Sequence, residues 1–285
     1  MQVMMAESAG FCYGVKRAVD MARETAKKCR HSVMLGSIIH NANVVAELEA
    51  LGMRKVDSWD QVRPGETVVI RSHGERKEVF ERLEAMGAAC VNATCPNVLR
   101  IQQLVAQAQE EGRTPLIIGE MHHPEVLGAA SWSERSVILP GPRELENWLN
   151  EEPSRRNMPL TATAQTTCVQ GIWESSKEIL KKQCTNAKIF DTICNATHRR
   201  QTEAAELAAQ VDVMVVVGDR KSANTKHLAE ICREKCGRVV QIERAGELSS
   251  ELFEGCLVAG LTAGASTPAG IIKEVYTTMS EEIKT

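Results

Sequence analysis

The chain of 285 residues carries a formal net charge of −3, and 43% of its residues are hydrophobic and 25% charged. This composition is typical of a soluble α/β protein with a sizeable core, and it excludes a disordered or fibrous chain. Lys and Arg are spread along the sequence rather than gathered in a basic stripe. The charge pattern therefore argues against binding to nucleic acid or to an anionic membrane surface.

The N-terminal sequence MQVMMAESAGF has no basic region followed by an apolar one, and no window approaches the roughly 20 apolar residues that a membrane span needs. We therefore expect a cytoplasmic protein. In that compartment the ten cysteines indicate packed thiols, catalytic groups or metal ligands rather than a disulfide framework. Those expected to pack as small hydrophobic side chains are Cys29, Cys90, Cys168, Cys184 and Cys256.

In chain order, short apolar runs alternate with stretches of helical periodicity. A strand-like run at 3–6 leads to a turn that carries Cys12, and from Val15 to Ala26 the apolar residues fall on one helical stripe. A short helix is predicted at 245–253, a surface excursion at 151–159 and a final helix at 268–279. Further strands are predicted for SVMLG, TVVI, AACVN, TPLIIG, SVIL, LTATA, AKIFD, DVMVVVG, RVVQI and CLVAGL.

Two sequence offsets occur three times along the chain. A histidine or serine lies 28 residues after each of three cysteines, and a glycine lies 24 residues after each. The pairs are Cys12 and His40, Cys95 and His123, and Cys194 and Ser222, and the glycines are Gly36, Gly119 and Gly218. Unrelated segments rarely keep both offsets, so we infer a threefold internal repeat in which each copy delivers one thiol and one small polar group.

Strands that alternate with helices imply βα units and mostly parallel sheets, whose ligands bind beyond the carboxyl ends of the strands. The repeat predicts α/β modules over 10–92, 93–191 and 192–285, the last joined by the N-terminal strand 1–9. We expect a trefoil-like α/β fold, with three pseudo-threefold-related modules whose small sheets surround a central cavity.

Three thiols from three modules can bind a metal centre. Cys12 and Cys95 each precede a predicted helix, and a helix N-terminus favours the thiolate, which is the form that binds metal. The residues alone leave three alternatives open. These are an iron–sulfur cluster with one open iron, zinc with substrate or water as fourth ligand, or no metal.

Further polar residues follow the predicted strands. Imidazoles, hydroxyls and backbone N–H groups at helix N-termini together form an anion site suited to a small phosphorylated substrate. The alternative is that the Ser, Thr and Asn residues only cap helices. The candidates are His40, His73, His123, Ser222, Asn224, Ser266 and Thr267.

Glu125 lies two residues after His123, at the start of a predicted helix. A buried glutamate at this place can serve as a general acid whose pKa is set by burial. Equally, it can be a first-turn glutamate that the helix dipole stabilises.

These residues resemble the LytB family of 4-hydroxy-3-methylbut-2-enyl diphosphate reductases, also called IspH, which act last in the non-mevalonate isoprenoid pathway. The resemblance extends over nearly the whole chain and is specific in combination. It is carried by GFCYGVKRAV, GSIIHN, RSHG, NATCP, HHPEVLG, AQTT, DTICNAT, SANT and TAGAST.

The resemblance implies a [4Fe–4S] cluster held by Cys12, Cys95 and Cys194. It also implies a proton path through Glu125 and Thr166, with His123 in both the catalytic and the binding set. The residues that it implies for diphosphate binding are His40, His73, His123, Thr166, Ser222, Asn224 and Ser266.

The implied reaction is reductive dehydroxylation to isopentenyl and dimethylallyl diphosphate. The sequence has no GxGxxG motif for a dinucleotide, so a ferredoxin or flavodoxin is the expected electron donor. The alternatives are a noncatalytic iron–sulfur sensor and a zinc-dependent hydrolase of a phosphorylated small molecule. Three residues depart from the family pattern: Tyr13 and Asn195 next to two of the cysteines, and Glu120, where a histidine is common.

Overall fold

Helices and strands alternate along the chain. The computed structural model describes residues 1–282, which contain twelve strands and ten α-helices, none of them long and apolar enough to cross a membrane. The strands are β1 (Gln2–Met5), β2 (Ser32–Leu35), β3 (Arg54–Val56), β4 (Thr67–Ile70), β5 (Ala89–Asn92), β6 (Thr114–Ile118), β7 (Val137–Leu139), β8 (Leu160–Ala164), β9 (Ala187–Ile189), β10 (Val213–Val217), β11 (Val239–Ile242) and β12 (Val258–Ala263). The α-helices are α1 (Tyr13–Lys28), α2 (Ala42–Ala50), α3 (Lys77–Ala85), α4 (Pro96–Glu110), α5 (Pro124–Ala130), α6 (Pro142–Glu151), α7 (Gln170–Gln183), α8 (Asn195–Ala208), α9 (Ala223–Arg233) and α10 (Ala269–Glu282).

The strands form three four-stranded sheets in which every neighbouring pair is parallel. Their orders are β3-β2-β4-β5, β7-β6-β8-β9 and β11-β10-β12-β1. The order is the same in all three, with β1 in the place that β5 and β9 hold in the other two sheets. The predicted α/β fold with three small parallel sheets is therefore confirmed.

The continuous apolar sequence of β10 reflects burial on both faces, as parallel sheets require. Val213, Val215 and Val217 pack in one apolar cluster, whereas Met214 and Val216 pack in another. Since successive side chains of a strand point to opposite faces, helices cover both sides of this sheet.

The chain divides into two compact units. The first consists of Met1–Lys16, His40–Ala42 and the chain from Asn195 onwards, and it contains the sheet of β1, β10, β11 and β12. The second consists of Arg17–Ile39 and Asn43–Cys194 and contains the other two sheets. The boundaries of the three sequence modules remain a prediction.

Three short segments differ from the sequence prediction or refine it. Strand β3 has no counterpart among the predicted strands. Two of its three residues, Arg54 and Lys55, are charged, so the sequence has no apolar run there, although the segment pairs with β2. The segment 245–253 forms two 3-10 turns, Ala245–Glu247 and Ser250–Phe253, instead of one helix. The predicted surface excursion at 151–159 contains a further 3-10 turn at Pro153–Asn157.

The ten cysteines all lie within residues 1–282, and none of them forms a disulfide there. Cys168 is buried as expected, and burial raises the pKa of its thiol to about 12. The expectation was wrong for Cys90, which is exposed because β5 is an edge strand. The remaining three of the five, Cys29, Cys184 and Cys256, are half-buried.

Candidate functional site

Each of the three predicted ligand cysteines is placed by the same backbone hydrogen bond. Its amide N–H donates to the carbonyl oxygen of the second residue past the end of the neighbouring strand. The pairs are Cys12 with Ala265 after β12 (3.3 Å), Cys95 with Ser72 after β4 (2.9 Å) and Cys194 with Thr166 after β8 (3.1 Å). A helix begins at the residue after each cysteine. The three thiols therefore hold equivalent positions, each directly before the first residue of a helix.

The three repeated glycines also hold equivalent positions, directly after β2, β6 and β10. The amide N–H of each donates to the last residue of the adjoining edge strand, and these pairs are Gly36 with Val56, Gly119 with Leu139 and Gly218 with Ile242. A Cβ atom on Gly119 would lie 2.8 Å from the Cβ of Gln165. Glycine is therefore needed at position 119 because of this close approach, whereas Gly36 and Gly218 have φ angles of +68° and +149°, which favour glycine.

In the first unit, the loop before Cys12 turns sharply at Gly10. Gly10 has a φ of +100°, and a Cβ atom there would lie 2.9 Å from Cδ1 of Ile272. The amide N–H of Val15 lies 3.5 Å from the sulfur of Cys12, within the first turn of α1. This contact fixes the position of the sulfur relative to α1.

In the second unit, Cys95 is the residue that caps α4, and Pro96 begins the helix at a position where its missing N–H costs nothing. The guanidinium of Arg17 donates to the carbonyl of Thr94 at 3.1 Å. This bond fixes the peptide that precedes Cys95.

Cys194, Thr166 and Glu125 form a hydrogen-bonded series in the second unit. The carbonyl of Thr166 accepts from the amide of Cys194. The amide of Thr166 donates to Oε1 of Glu125 at 2.6 Å, and its hydroxyl lies 2.8 Å from Oε2. The carboxyl group of Glu125 is therefore fixed by two contacts to a residue that also positions a candidate metal ligand.

Glu125 is 2% exposed. Burial raises the pKa of its carboxyl group to about 7; the hydrogen bonds from Thr166 lower it, and the nearby charge of Glu120 raises it. Near neutral pH the group is therefore divided between its acid and its carboxylate form, as a general acid requires. This degree of burial favours the buried acid over the charged first-turn glutamate.

Two of the predicted histidines lie together in the second unit. The rings of His73 and His123 meet edge to face with their centroids 5.5 Å apart. Nδ1 of His123 accepts from the amide of Glu125 at 3.2 Å. A neutral His123 therefore carries its proton on Nε2, where it can donate to an anion. His40 belongs to the first unit and is half-buried.

The first unit also contains the predicted hydroxyl and amide donors. Ser222 caps α9 and accepts from the amide of Thr225, as the capping alternative expects. Asn224 and Ser266, however, are 5% and 7% exposed, and Nδ2 of the first and Oγ of the second have no hydrogen-bond partner among residues 1–282. Buried donors of this kind are costly unless a ligand satisfies them.

The structure gives one candidate a different role. The hydroxyl of Thr267 donates to the carbonyl of Val217 at 3.0 Å, so it joins β10 to the loop after β12. Two side chains on α8, Arg200 and Glu203, contact the loop before Cys12 and are absent from the sequence-based candidates. They lie one helical turn apart, a spacing common to many surface pairs, and the sequence therefore holds no signal that singles them out.

We expect Glu125 to make the folded protein less stable as pH rises. In the folded chain its pKa is about 7, against 4.5 for an ordinary Glu. Between these two pH values the folded state binds more protons than the unfolded state. The contribution of Glu125 to the free energy of unfolding is therefore complete below pH 4.5, and it decreases as the pH rises to about 7. The shift corresponds to about 3 kcal/mol.

The measurement is denaturant unfolding of metal-free wild type and Glu125→Gln at several pH values. From pH 4.5 to 8, the unfolding free energy of Glu125→Gln should increase by about 3 kcal/mol relative to that of wild type. Comparing the two proteins cancels the titration of all other groups. A difference that stays constant with pH would show that Glu125 ionises at its ordinary pKa.

Comparisons with known proteins point to one family. A model of the family described as LytB protein matches residues 3–280. The chain is 39% identical over 283 residues to the 4-hydroxy-3-methylbut-2-enyl diphosphate reductase of Caldanaerobacter subterraneus subsp. tengcongensis, covering 96% of this chain and 95% of that protein. It is 40% identical over 278 residues to the reductase of that name from Anaeromyxobacter sp. strain K, covering 96% of this chain and 97% of that protein.

Solved structures of similar proteins agree with the fold. The structure of (E)-4-hydroxy-3-methyl-but-2-enyl diphosphate reductase, described as the terminal enzyme of the non-mevalonate pathway, matches with a TM-score of 0.70 at 35% identity and covers 99% of this chain and 100% of that one. The E-1-hydroxy-2-methyl-but-2-enyl-4-diphosphate reductase of Plasmodium falciparum matches with a TM-score of 0.91 at 24% identity, covering 98% of this chain and 88% of that one. At this lower identity the likeness concerns the fold alone.

Proposed function

This chain belongs to the LytB protein family, and we propose that it reduces 4-hydroxy-3-methylbut-2-enyl diphosphate to isopentenyl and dimethylallyl diphosphate, as the names of its relatives indicate. In this reaction a C–O bond breaks, a C–H bond forms and water leaves. Two electrons and two protons are consumed. The observation that carries the proposal is the threefold repetition of the cysteine position, together with the buried acid beside one of the cysteines.

The electrons require a redox centre, and we propose a [4Fe–4S] cluster held by Cys12, Cys95 and Cys194. The donor set fits this group, because three half-buried thiols hold equivalent places at helix N-termini. When bound, such a cluster supplies electrons one at a time and Lewis acidity at an iron without a protein ligand. A ferredoxin or flavodoxin is the proposed external donor.

The protons come from Glu125 through Thr166 in this proposal. Because burial raises the pKa of Glu125 to about 7, its protonated form is present near neutral pH. The hydroxyl of Thr166, 2.8 Å from Oε2, both accepts and donates hydrogen bonds. It can therefore pass a proton from the buried acid to substrate without a free water molecule in between.

The diphosphate is proposed to bind imidazole, hydroxyl and amide donors. The imidazoles are those of His40, His73 and His123, and the other donors are those of Ser222, Asn224 and Ser266. A phosphate oxygen satisfies the buried Asn224 and Ser266 side chains that lack partners among residues 1–282. Neutral donors of this kind bind an anion by hydrogen bonds rather than by ion pairs.

We expect Ser266→Ala to weaken substrate binding without weakening the fold. Loss of one hydrogen bond to a charged group should raise KM about tenfold, while kcat changes little. The ligand-free variant should unfold at the same free energy or up to about 1 kcal/mol higher, because an unsatisfied buried hydroxyl is removed. Steady-state kinetics and denaturant unfolding measure the two effects.

The control for this prediction is Ser280→Ala on α10, since the Ser280 hydroxyl already donates to the carbonyl of Tyr276. It should leave KM unchanged. An unchanged KM in Ser266→Ala, or a large loss of stability, would instead assign Ser266 to the fold.

The proposed function is tested by anaerobic purification followed by an activity assay with a one-electron reductant. We expect a brown protein that contains iron and acid-labile sulfide and consumes 4-hydroxy-3-methylbut-2-enyl diphosphate. Zinc without sulfide would favour the hydrolase, and a stable cluster without turnover would favour the sensor. Either result would overturn the proposal.

A further inference from the structure

Arg200 on α8 donates to the backbone of the loop that precedes Cys12. Its guanidinium contacts the carbonyl of Ser8 at 2.6 and 3.0 Å and the carbonyl of Gly10 at 2.7 Å. It also donates to Ala196 within its own helix at 3.3 Å. Arg200 is only 3% exposed, so these charge-assisted bonds form away from water, where they are strong.

Glu203, one turn further along α8, holds the N–H groups of the same loop. Its two carboxylate oxygens accept from the amides of Glu7 at 2.5 Å and Ser8 at 2.9 Å, and it also accepts from the hydroxyl of Ser8. Burial raises the pKa of Glu203, but these hydrogen bonds together lower it below its ordinary value. The carboxylate is therefore charged when it binds the loop.

The ends of this loop are fixed independently. The amide of Ala6 donates to the carbonyl of Leu261 at 2.9 Å as the chain leaves β1. At the other end the amide of Cys12 donates to Ala265. Between these points the backbone turns at residues 7–8, and Arg200 and Glu203 contact the stretch from residue 7 to residue 10.

Helix α8 itself is held by core packing. Ala204 and Leu207 belong to a buried cluster with Ala6 and with Met214 and Val216 of β10. A side chain anchored on such a helix is positioned more firmly than one on a loop. Arg200 and Glu203 therefore hold the segment before Cys12 against a helix that is packed into the core.

We propose that Arg200 and Glu203 form a clamp that positions Cys12 as a metal ligand, and that both are positioning residues for the iron–sulfur cluster. This inference rests on the proposed function. The clamp binds both polar groups of the turn: the carboxylate accepts its N–H groups and the guanidinium donates to its carbonyls. These hydrogen bonds restrict the motion of the loop, and they therefore keep the thiol of Cys12 in the position from which it would bind the cluster.

Glu203→Gln is the variant that tests the clamp with the smallest change of shape. In this variant an amide NH2 group replaces one carboxylate oxygen. Because NH2 is a donor, it cannot accept from the N–H or hydroxyl group of the loop, and one hydrogen bond to the loop is lost. Arg200→Lys is the second variant, because it keeps the charge but loses the forked geometry. If Arg200→Lys does not fold, Glu203→Gln still decides the proposal.

The matched control is Arg199→Gln, on the same helix and against the same loop. Arg199 pairs with the side chain of Glu7 at 2.9 Å, but the two side chains are 65% and 82% exposed. Exposed ion pairs contribute little to stability. This variant should therefore behave as wild type in every measurement.

Two readouts apply to the full chain. In the metal-free protein, we expect hydrogen exchange at the Ser8 amide and alkylation of Cys12 to become about tenfold faster, the effect of losing one charge-assisted hydrogen bond on a local opening. Alkylation of Cys95 should not change. In the reconstituted protein, iron and sulfide should be lost about tenfold faster in air, and the global unfolding free energy should fall by no more than the ~1.4 kcal/mol that a tenfold factor represents.

The possible failures are distinct. A wild type that takes up no cluster overturns the proposed function. If wild type takes up a cluster and the clamp variants retain it for as long as wild type does, the proposed clamp is wrong, even if hydrogen exchange shows a looser loop. Faster cluster loss in Glu203→Gln, and in Arg200→Lys where that variant folds, with Arg199→Gln unchanged, supports it.

Discussion

Cys95→Ser is expected to give a folded protein that retains little or no iron–sulfur cluster and has negligible turnover. A serine hydroxyl stays protonated at neutral pH, whereas a thiolate at a helix N-terminus is the form that binds metal. The fold should be unaffected, because Cys95 occupies the N-cap of α4 and its side chain makes no capping hydrogen bond there. Serine is a preferred N-cap residue, so α4 should be as stable or more stable.

The control for this prediction is Cys90→Ser. Cys90 lies only five residues earlier in the sequence, on β5, and it is exposed. Iron, acid-labile sulfide, visible absorbance and turnover should match wild type in Cys90→Ser and be lost in Cys95→Ser. A full cluster and normal turnover in Cys95→Ser would remove this thiol from the ligand set.

The sequence offsets predicted the repeat because each one corresponds to a fixed structural unit. The 24-residue interval runs from a cysteine, through a helix and a strand, to a glycine at the strand tip, and all three glycines make the same hydrogen bond to an edge strand. Local periodicity suffices for such elements, since both the helix stripe and the buried strand can be read from neighbouring residues.

Other features could not be read from local sequence. Arg200 bonds to Ser8 across 192 positions, and in the sequence it is one of two neighbouring arginines in HRRQ. Cys90 lies in an apolar run but is exposed, because strand order, not composition, decides which strand is at an edge. Strand β3 consists of two charged residues and a valine and is recognisable only from its pairing with β2.

The clearest case of a property set by tertiary structure is the pKa of Glu125. The sequence leaves open whether this residue is a charged first-turn glutamate or a buried acid. Its 2% exposure and its contacts with Thr166, 41 positions away, favour the second. Burial, which only the folded chain supplies, raises the pKa into the range where the group can donate a proton.

Glu125→Gln should bind substrate with a nearly unchanged KM and lower kcat by about 10² to 10⁴, the usual contribution of a general acid. Glutamine has nearly the same shape. Its carbonyl oxygen can accept from the amide of Thr166, and its NH2 can donate to the Thr166 hydroxyl. The substitution therefore removes the transferable proton and leaves the contacts in place.

The pH dependence separates proton donation from a structural effect. Only the protonated form of Glu125 donates, so wild-type kcat should be highest below pH 7 and fall as pH rises through the pKa of about 7. This fall should be absent from the residual activity of Glu125→Gln. Glu120→Gln is the comparator: it removes a charge that raises the pKa of Glu125, so its activity should persist while the fall moves to lower pH. Wild-type kcat in Glu125→Gln, with the same fall above pH 7, would show that another group supplies the proton.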